Sequence, residues 1–505
     1  MLCGGRGINS NMNIPLVLHT LGNLILLLSG ILFIPFGVSL FYGTKEEIWA
    51  FVISIIASGI TGLVLKFALK PRNENITIRE GLAIVAFWWV FCAVFGALPY
   101  WLSGACDNFC DSYFESMSGL TTTGATIFSD IEALPHGILF WRSMSQWLGG
   151  MGIVVFFVAV LPTIGVGGHK LFSAEAPDLT TDKIKPRIAQ TAKILWIIYL
   201  SLTAIVIPLF WFGGMGIFDA VCHAFTTIAT GGFSTKNQSI AAFNSQFIEI
   251  VVMVFIFISA CNYILHYQLV TGRIKKVFVN SELRFFVCLI LCVICLVTLA
   301  LFFSEPSSYN GGVKDHEYES VGGALRYAAF QAVSITTSTG YTNADFDIWP
   351  NFCRFFLVLL MFIGGCAGST AGGMKVARIM LLFKTSVREM VHLLRPRAIM
   401  HVKLSGKPVS EEIITNTLGF IVIHLGLFGI FSLILTVFGT EVITSFSAVA
   451  SMMNNIGPAL ADVGATRNYG EIAYPCKWVL IFCMLLGRLE IYTVILIFLP
   501  LTWKK

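Results

Sequence analysis

The sequence predicts an all-α membrane protein of about ten transmembrane helices, in which two N-terminal spans precede four copies of one repeated unit. Of the 505 residues, 56% are hydrophobic and only 12% are charged, whereas soluble domains carry about 25% charged residues. Many apolar segments are long enough to span a bilayer, which takes roughly 20 residues. A glycine-bearing run also recurs four times, and recurrence at a long, nearly fixed period indicates a repeated structural unit.

The four glycine runs define the repeats. Their central residues are Gly124, Gly232, Gly340 and Gly457, which are separated by 108, 108 and 117 residues. Each unit is predicted to be a span, a short apolar segment, a glycine loop and a second span. The short segments lie at 111–122, 217–229, 322–337 and 441–453, and they are too short to cross a bilayer. We therefore expect re-entrant pore helices. Irregular backbone at membrane depth survives where it is buried or lines a water-filled path, so four such loops predict one shared path with pseudo-fourfold symmetry.

The chain is accordingly divided into an N-terminal extension, four repeats and a cytoplasmic hairpin. The predicted boundaries are 1–75 for the two-span extension, 76–165, 180–275, 280–390 and 411–505 for the repeats, and 391–410 for the hairpin. Spans are expected at 15–42, 48–70, 80–103, 136–162, 189–213, 245–271, 283–304, 411–438 and 474–500, with a broken span from 352 into the 380s. The first apolar run is too long for a signal peptide, and the sequence leaves open whether Met1 or Met12 is the start.

Charge and cysteine content restrict the classes of partner. The net charge of +5 is modest, and most Lys and Arg residues fall on one predicted side of a lipid bilayer. This pattern indicates membrane topology and not nucleic-acid binding, and it predicts cytoplasmic termini with outward-facing glycine loops. Most of the 13 cysteines lie in apolar segments as packing residues. Cys106 and Cys110 flank a loop, and their spacing leaves a disulfide open.

The residues around the four glycines are typical of a cation site made of neutral oxygen atoms. No Asp or Glu occurs in the four residues before each glycine, so ligands would be backbone carbonyls and Thr, Ser or Asn oxygens. A re-entrant helix that enters from outside directs its negative C-terminal end inward, and rings of carbonyls replace the hydration shell of potassium in known filters. The missing carboxylate rings argue against calcium. The alternative is that Gly and Thr only pack helices closely.

Three features together resemble the TrkH branch of the Trk/Ktr/HKT superfamily of potassium transporters. They are the four glycine loops, the run Gly364-Gly365-Cys366-Ala367-Gly368-Ser369-Thr370-Ala371-Gly372-Gly373-Met374-Lys375, and Leu486-Gly487-Arg488-Leu489-Glu490. The resemblance covers nearly all of the chain. It implies potassium uptake across the bacterial cytoplasmic (inner) membrane by a channel-like, gated permease without an organic cofactor. It also implies a homodimer that meets a cytoplasmic TrkA-type nucleotide-binding ring.

By this resemblance one glycine per repeat belongs to a selectivity filter. The implied filter residues are Thr122, Thr123, Gly124, Thr230, Gly231, Gly232, Ser338, Thr339, Gly340, Asn455, Ile456 and Gly457. Potassium would be bound at Thr122, Thr123, Thr230, Gly231, Ser338, Thr339, Asn455 and Ile456. In plant relatives serine at the first glycine position accompanies sodium transport, so Gly124 implies potassium. The fourth loop departs from the hydroxyl-rich pattern.

The last helix of the third repeat is predicted to be broken at 364–373. Glycine costs about 1 kcal/mol per residue in a helix interior, and five of these ten residues are glycine. The resemblance implies an intramembrane gate, to which we assign Gly364, Gly365, Gly368, Ser369, Thr370, Gly372, Gly373 and Arg488. The alternative for the glycines is close helix packing.

Arg488 aligns in depth with Gly150, Ala260 and Gly365 in the other repeats. Arginine near the bilayer centre costs on the order of 3 kcal/mol, so its side chain is expected to face the interior. It is either a fixed positive charge below the filter or half of a structural ion pair with Glu490 or another carboxylate, and both roles are compatible.

Three further expectations concern polar residues outside these groups. Glu115 either attracts cations at the outer mouth or forms a local cap or salt bridge. His223 is expected to be a packing residue. Alternation around Ser405-Gly406 predicts a small hairpin, which either meets a regulatory ring or is simply a basic solvated loop.

The sequence leaves three other functions to compare, and the first, a receptor, would have binding determinants that are not repeated. A proton- or sodium-coupled potassium symporter is the alternative within transport. An enzyme is disfavoured because the sequence has no H-E-x-x-H motif among its nine histidines and no evident Ser/His/Asp grouping.

Overall fold

The structure, a computed structural model, describes residues 12–68, 71, 77–160, 188–310, 315–397, 400–489 and 491–503. Within these ranges the chain is built of helices, loops and one short hairpin, so the predicted all-α class is confirmed. Six of the described helices are long and apolar enough to cross a membrane, or up to eight if each of two bent pairs is one span. The number of ten spans stays a prediction.

The N-terminal extension contains α1 (Ile14–Ile31), α2 (Phe33–Tyr42) and α3 (Lys45–Ala68). The predicted first span is thus divided at Leu32. Pro35 lies in the first turn of α2, where it lacks an N–H and crowds the carbonyl one turn back. Helices α1 and α3 approach closely where Gly22 faces Gly62, as small residues permit in membrane helices.

Each repeat contains a short helix after its first long helix, although in the third repeat the helix that comes next, Asn351–Met361, is itself short. The first repeat has α4 (Ile78–Leu102), α5 (Phe109–Leu120) and α6 (His136–Val160), and the second has α7 (Ile188–Phe212), α8 (Ile217–Ile228), α9 (Gln246–Ala260) and α10 (Tyr263–Val270), followed by α11 (Ile274–Val279). The third has α12 (Ser281–Phe303), α13 (Val321–Thr336), α14 (Asn351–Met361) and α15 (Val376–Leu394). The fourth has α16 (Glu411–Val437), α17 (Val442–Met453), α18 (Tyr474–Leu489), α19 (Ile491–Phe498) and α20 (Pro500–Trp503). The short helices α5, α8, α13 and α17 are hereafter called the pore helices.

A two-stranded hairpin precedes the fourth repeat. Strands β1 (Lys403–Leu404) and β2 (Lys407–Pro408) pair antiparallel, with Leu404 opposite Lys407. Ser405 and Gly406, which connect them, both have positive φ, the combination that a two-residue hairpin turn requires.

The predicted span at 245–271 is not one continuous helix, because α9 and α10 meet at an angle of 100°. The chain leaves the helix at Cys261 and Asn262, and the Asn262 side chain accepts the backbone N–H of Ile264 to start α10. Asparagine favours helix N-caps over helix interiors, so this residue was the available signal for a break.

Burial separates the pore helices from the surrounding spans. The pore helices are buried over most of their length, including their Ser and Thr residues. The spans instead expose large apolar side chains, such as Phe212 at 75% and Val437 at 75%, which suits contact with lipid. Cys106 and Cys110 are both free thiols in this structure.

Candidate functional site

The four glycine loops share one backbone conformation. Each glycine has a left-handed φ, and so does the residue two positions before it. The values are 55° and 80° for Thr122 and Gly124, 52° and 82° for Thr230 and Gly232, 54° and 76° for Ser338 and Gly340, and 53° and 100° for Asn455 and Gly457. Positive φ is uncommon outside glycine, above all for a β-branched residue such as threonine. Its recurrence at the same place in four repeats indicates a functional constraint.

The same hydrogen bond attaches each loop to its pore helix. The backbone N–H of the residue before the glycine donates to the carbonyl five residues earlier. The four bonds are Thr123 to Ser118 at 2.9 Å, Gly231 to Thr226 at 2.8 Å, Thr339 to Ser334 at 2.9 Å and Ile456 to Ser451 at 3.0 Å. This is the pattern of a left-handed helix C-cap. It fixes each glycine loop against the partially negative end of a helix.

The four loops close a ring in the order of the repeats. A Cβ atom added to each glycine would overlap a backbone carbonyl oxygen of the next repeat. The pairs are Gly124 with Gly231, Gly232 with Thr339, Gly340 with Ile456, and Gly457 with Thr123. Only glycine can occupy these positions without displacing the backbone of the neighbouring loop. Close packing between loops therefore requires all four glycines, in addition to their positive φ.

A cavity of about 90 Å³ opens on one side of the ring, and all four glycines line it. The charged side chains in its wall are basic: Arg142, Lys236 and Arg467. Each has a carboxylate partner, since Lys236 lies 3.4 Å from Glu132, and Arg467 lies 3.3 Å from Asp462. The pairing reduces the positive charge that a cation would meet at this opening.

Glu115 does not face the cavity, so the expectation that it attracts cations there is wrong and the salt-bridge alternative is right. Its side chain is completely buried and lies 2.8 Å from Nε of Arg142, and it also accepts the N–H of Ile127 at 3.0 Å. Nη1 of Arg142 donates to the carbonyl of Ser234 in the second repeat at 3.0 Å. This pair therefore connects the first and second glycine loops.

Side chains brace the ring unequally in the four repeats. The amide of Gln146 donates to the carbonyl of Gly231 at 2.6 Å. In the fourth loop, the Asn455 amide donates to Oγ1 of Thr123 at 2.9 Å and to the carbonyl of Met484 at 2.9 Å. Asn455 thus serves as a brace between the fourth and first repeats, which accounts for an amide where the other loops have a hydroxyl.

Loop 364–373 lies directly against the ring. The helix stops at Met361 and resumes at Val376, as the glycine content predicts. The hydroxyl of Ser338 donates to the carbonyl of Gly372 at 3.3 Å, and the hydroxyls of Thr230 and Thr370 are 3.3 Å apart. A Cβ on Gly372 would lie 2.7 Å from Cβ of Asn455. Three of the four left-handed positions therefore contact this loop.

The break between α9 and α10 receives the other side of the loop. Cys366 N–H donates to the carbonyl of Ala260 at 2.9 Å, and Tyr263 N–H donates to the carbonyl of Gly368 at 3.1 Å. These bonds satisfy backbone groups that the two interrupted helices leave unpaired. The bend between α9 and α10, which the sequence did not predict, therefore binds loop 364–373, which it did predict.

Arg488 contacts the remaining left-handed residue, Thr122 of the first glycine loop. Nη1 donates to Oγ1 of Thr122 at 3.3 Å and to the carbonyl of Thr370 at 2.9 Å. Nη2 donates to the carbonyl of Gly149 at 2.6 Å. The side chain is 5% exposed, so the guanidinium is interior, as expected. Glu490, the carboxylate considered as its partner, lies outside the described residues.

Charged residues inside apolar spans also join neighbouring repeats, and the sequence analysis did not assign them. Arg326 on α13 makes two bonds of 2.8 and 2.7 Å to Glu249 on α9. Lys477 on α18 pairs with Asp111 on α5. Their signal was a charge in an apolar segment, which must face the protein interior. His223 is buried and bonds Ser234 at 3.0 Å, so it has a packing role with a polar partner.

Comparison with known proteins gives consistent matches over nearly the whole chain. The family model TrkH, described as a cation transport protein, matches residues 47–504. The Trk system potassium uptake protein TrkH of Salmonella typhimurium is 39% identical over 497 residues, covering 98% of this chain and 100% of that protein. The protein of the same name from Escherichia coli K12 gives the same identity and coverage. The crystal structure of the potassium transporter TrkH from Vibrio parahaemolyticus superposes with a TM-score of 0.86 at 37% identity, covering 98% of this chain and 100% of that one.

Proposed function

Because this chain belongs to the TrkH family of cation transport proteins, we propose that it is a multi-pass membrane protein that takes up potassium through a gated, channel-like path. The observation that carries this proposal is the closed ring of four glycine loops. The relatives from Salmonella typhimurium and Escherichia coli are named as potassium uptake proteins. The family is one of cation transporters and not of enzymes. Potassium is the transported ion, and the proposal requires no organic cofactor.

In the proposed filter, neutral oxygens of the four loops replace the water around potassium. The candidate ligands are the backbone carbonyls and side-chain oxygens of residues 122–123, 230–231, 338–339 and 455–456. Residues with positive φ at every second position allow successive carbonyls to face one direction, which supports a carbonyl-lined path. The pore-helix C-termini add a field that favours a cation.

Loop 364–373 and Arg488 form the proposed gate. Together they contact the left-handed residue of every repeat, and none of these residues lines the cavity. A cation that leaves the filter past the left-handed residues meets the loop first. The contacts therefore support a closed path in this conformation, with opening by displacement of the loop.

A proton- or sodium-coupled symporter is not favoured. The relatives are named as potassium uptake proteins, which gives no support to coupling. Uphill uptake of potassium that follows an imposed proton or sodium gradient would favour the symporter.

The proposal is tested by ion flux in proteoliposomes. Potassium, rubidium and sodium are supplied in turn at equal gradients, and uptake is compared with that of a Gly340→Ala variant. We expect potassium and rubidium to exceed sodium, and the variant to lose this preference because a Cβ would displace the carbonyl of Ile456. Equal fluxes for all three ions in the wild-type protein would remove the filter from the proposal.

The finer aspects of assembly and location follow from the family and are also proposals. We propose a homodimer with one path per protomer, in the cytoplasmic membrane with both termini inside, regulated by a TrkA-type nucleotide-binding ring. Four repeats close one path within one chain, so the dimer is not needed to build it. Cross-linking in native membranes is expected to trap dimers, and a product limited to monomers would contradict this.

A further inference from the structure

The first turn of α12 lies between the proposed gate and the hairpin. Oε1 of Glu282 accepts the backbone N–H of Ala367 at 2.7 Å. Glu282 is 4% exposed, although it lies at the end of a span, where a carboxylate could otherwise reach solvent. Ala367 lies in loop 364–373, hereafter called the gate loop. Its neighbours Cys366 and Gly368 form hydrogen bonds to the bent second-repeat span.

A buried carboxylate is a strong anchor for this backbone N–H. A buried backbone N–H that loses its acceptor is costly to leave unsatisfied. The five glycines of the loop have no side chains that could pack against neighbours, so backbone contacts are a large part of what holds it in place. Glu282 also lies in the first turn of α12, where the helix dipole favours a negative charge.

The residue before Glu282 is held by the hairpin. Ser405 at the hairpin turn donates its N–H to Oγ of Ser281 at 2.9 Å, and the two hydroxyl oxygens are 3.0 Å apart. The N–H of Ser281 in turn donates to Oγ of Ser405 at 3.2 Å. Consecutive residues of α12 therefore contact the hairpin and the gate loop.

The hairpin is also tied to the helix that leaves the gate loop. Nζ of Lys384 on α15 donates to the carbonyl of Lys403 at 2.7 Å. A small apolar cluster joins the hairpin to α15 and α16: Met380, Leu381, Val402, Leu404 and Ile414. A force applied to the hairpin thus reaches the gate loop from α12 and from α15.

We propose that Glu282 is a positioning residue that holds the gate loop in its closed conformation and that the Ser281–Ser405 contact links the hairpin to it. This inference rests on the proposed gate but not on which cation the filter selects. A partner that binds the hairpin would release the loop by withdrawing Ser281, and with it Glu282, from Ala367.

The test uses two readouts on the full chain: partner-free rubidium flux, and thiol labelling of the native Cys366, located by peptide mass spectrometry. Cys366 is completely buried in the gate loop, so labelling reports displacement of the loop independently of ion selectivity. Glu282→Ala is expected to raise both labelling and flux by roughly tenfold, the order expected when a buried hydrogen bond is lost. Glu282→Gln retains an acceptor oxygen and is expected to give a smaller increase.

Glu411→Ala is the matched control. Glu411 is an acidic residue in the first turn of α16 that pairs with Arg388 and is 67% exposed in its side chain. Its removal changes charge equally without touching the gate loop, and we expect wild-type labelling and flux. Wild-type Cys366 labelling in folded Glu282→Ala and Glu282→Gln proteins would overturn the inference. Raised labelling without potassium-selective flux would support the anchor while contradicting the proposed filter.

The link to the hairpin is tested by a double-mutant cycle. Ser405→Ala is expected to raise Cys366 labelling less than Glu282→Ala does, because it loosens the anchor without removing it. In the Glu282→Ala background the same change is expected to add nothing, since residues acting through one contact are not additive. An undiminished effect of Ser405→Ala in that background would overturn the proposed link.

Discussion

Nη1 of Arg488 donates to the carbonyl oxygen of Thr370 at 2.9 Å, which joins the fourth repeat to the gate loop of the third. The same nitrogen lies 3.3 Å from Oγ1 of Thr122, so the charge lies beside the first loop of the proposed filter. At about 5 Å and an effective dielectric of about 20, two unit charges repel by about 3 kcal/mol. In the proposed filter and gate, the guanidinium would oppose a cation at the inner end of the filter, and it bonds the loop beneath the ring.

Replacing Arg488 by alanine is expected to raise potassium flux in the absence of nucleotide or partner. The change removes both the repulsion and the bond to Thr370, so an increase of about tenfold or more corresponds to relief of at least about 1.4 kcal/mol. Rubidium uptake into proteoliposomes measures the effect. Lys403→Ala in the hairpin is the control and is expected to alter regulation only.

Folding of the Arg488 variant must be checked, because three repeats supply its partners. Size-exclusion profile and thermal unfolding in detergent serve this purpose. A well-folded Arg488→Ala protein with unchanged or reduced flux would remove Arg488 from the proposed gate and leave the filter intact.

Gly372→Ala tests the contact between the gate loop and the ring. A Cβ there would lie 2.7 Å from Cβ of Asn455 and 2.9 Å from the carbonyl of Asn454. We expect the loop to be displaced, with a loss of stability of about 1–3 kcal/mol typical of overpacking and a rise in partner-free flux. Gly426→Ala on α16 is the control, since no atom lies within 4 Å of an added Cβ there; equal behaviour of the two variants would contradict the contact.

The buried pair behind the filter is expected to matter more for stability than the exposed pair at the cavity. Glu115→Ala leaves Arg142 buried without its carboxylate, a change that costs about 3–5 kcal/mol. Glu132→Ala removes the partially exposed partner of Lys236, which is worth about 1 kcal/mol or less. Midpoints of thermal unfolding in detergent compare the two variants, and similar shifts would show that the Glu115–Arg142 pair does not support the ring.

Sequence patterning predicted the repeated fold because its signals are local. Four glycines at near-constant spacing marked the loops, and segment length separated the pore helices from the spans. The glycine content of 364–373 likewise predicted an interrupted helix, since glycine is costly in a helix interior. The TrkH resemblance, drawn from these motifs, is confirmed by the family match over residues 47–504.

Features that depend on contacts between repeats escaped the sequence analysis. The bend at Cys261 and Asn262 exists because loop 364–373 supplies hydrogen-bond partners from another repeat. The burial of Glu115 depends on Arg142, 27 residues away, and Asn455 acts as a brace only because Thr123 and Met484 lie beside it. No local pattern encodes such pairings. Charges and amides within apolar segments indicate only that a polar partner is present, not which residue it is.

The most direct measurement of the central claim is the potassium-to-sodium flux ratio of Gly124→Ser in proteoliposomes at equal gradients. A serine Cβ would displace the carbonyl of Gly231, so the ring should lose a potassium ligand and admit more sodium. We predict a ratio about tenfold lower than that of the wild type, equivalent to about 1.4 kcal/mol of lost discrimination, with Gly426→Ser at the wild-type value. A folded Gly124→Ser protein with unchanged discrimination would contradict the assignment of the glycine ring as the selectivity filter.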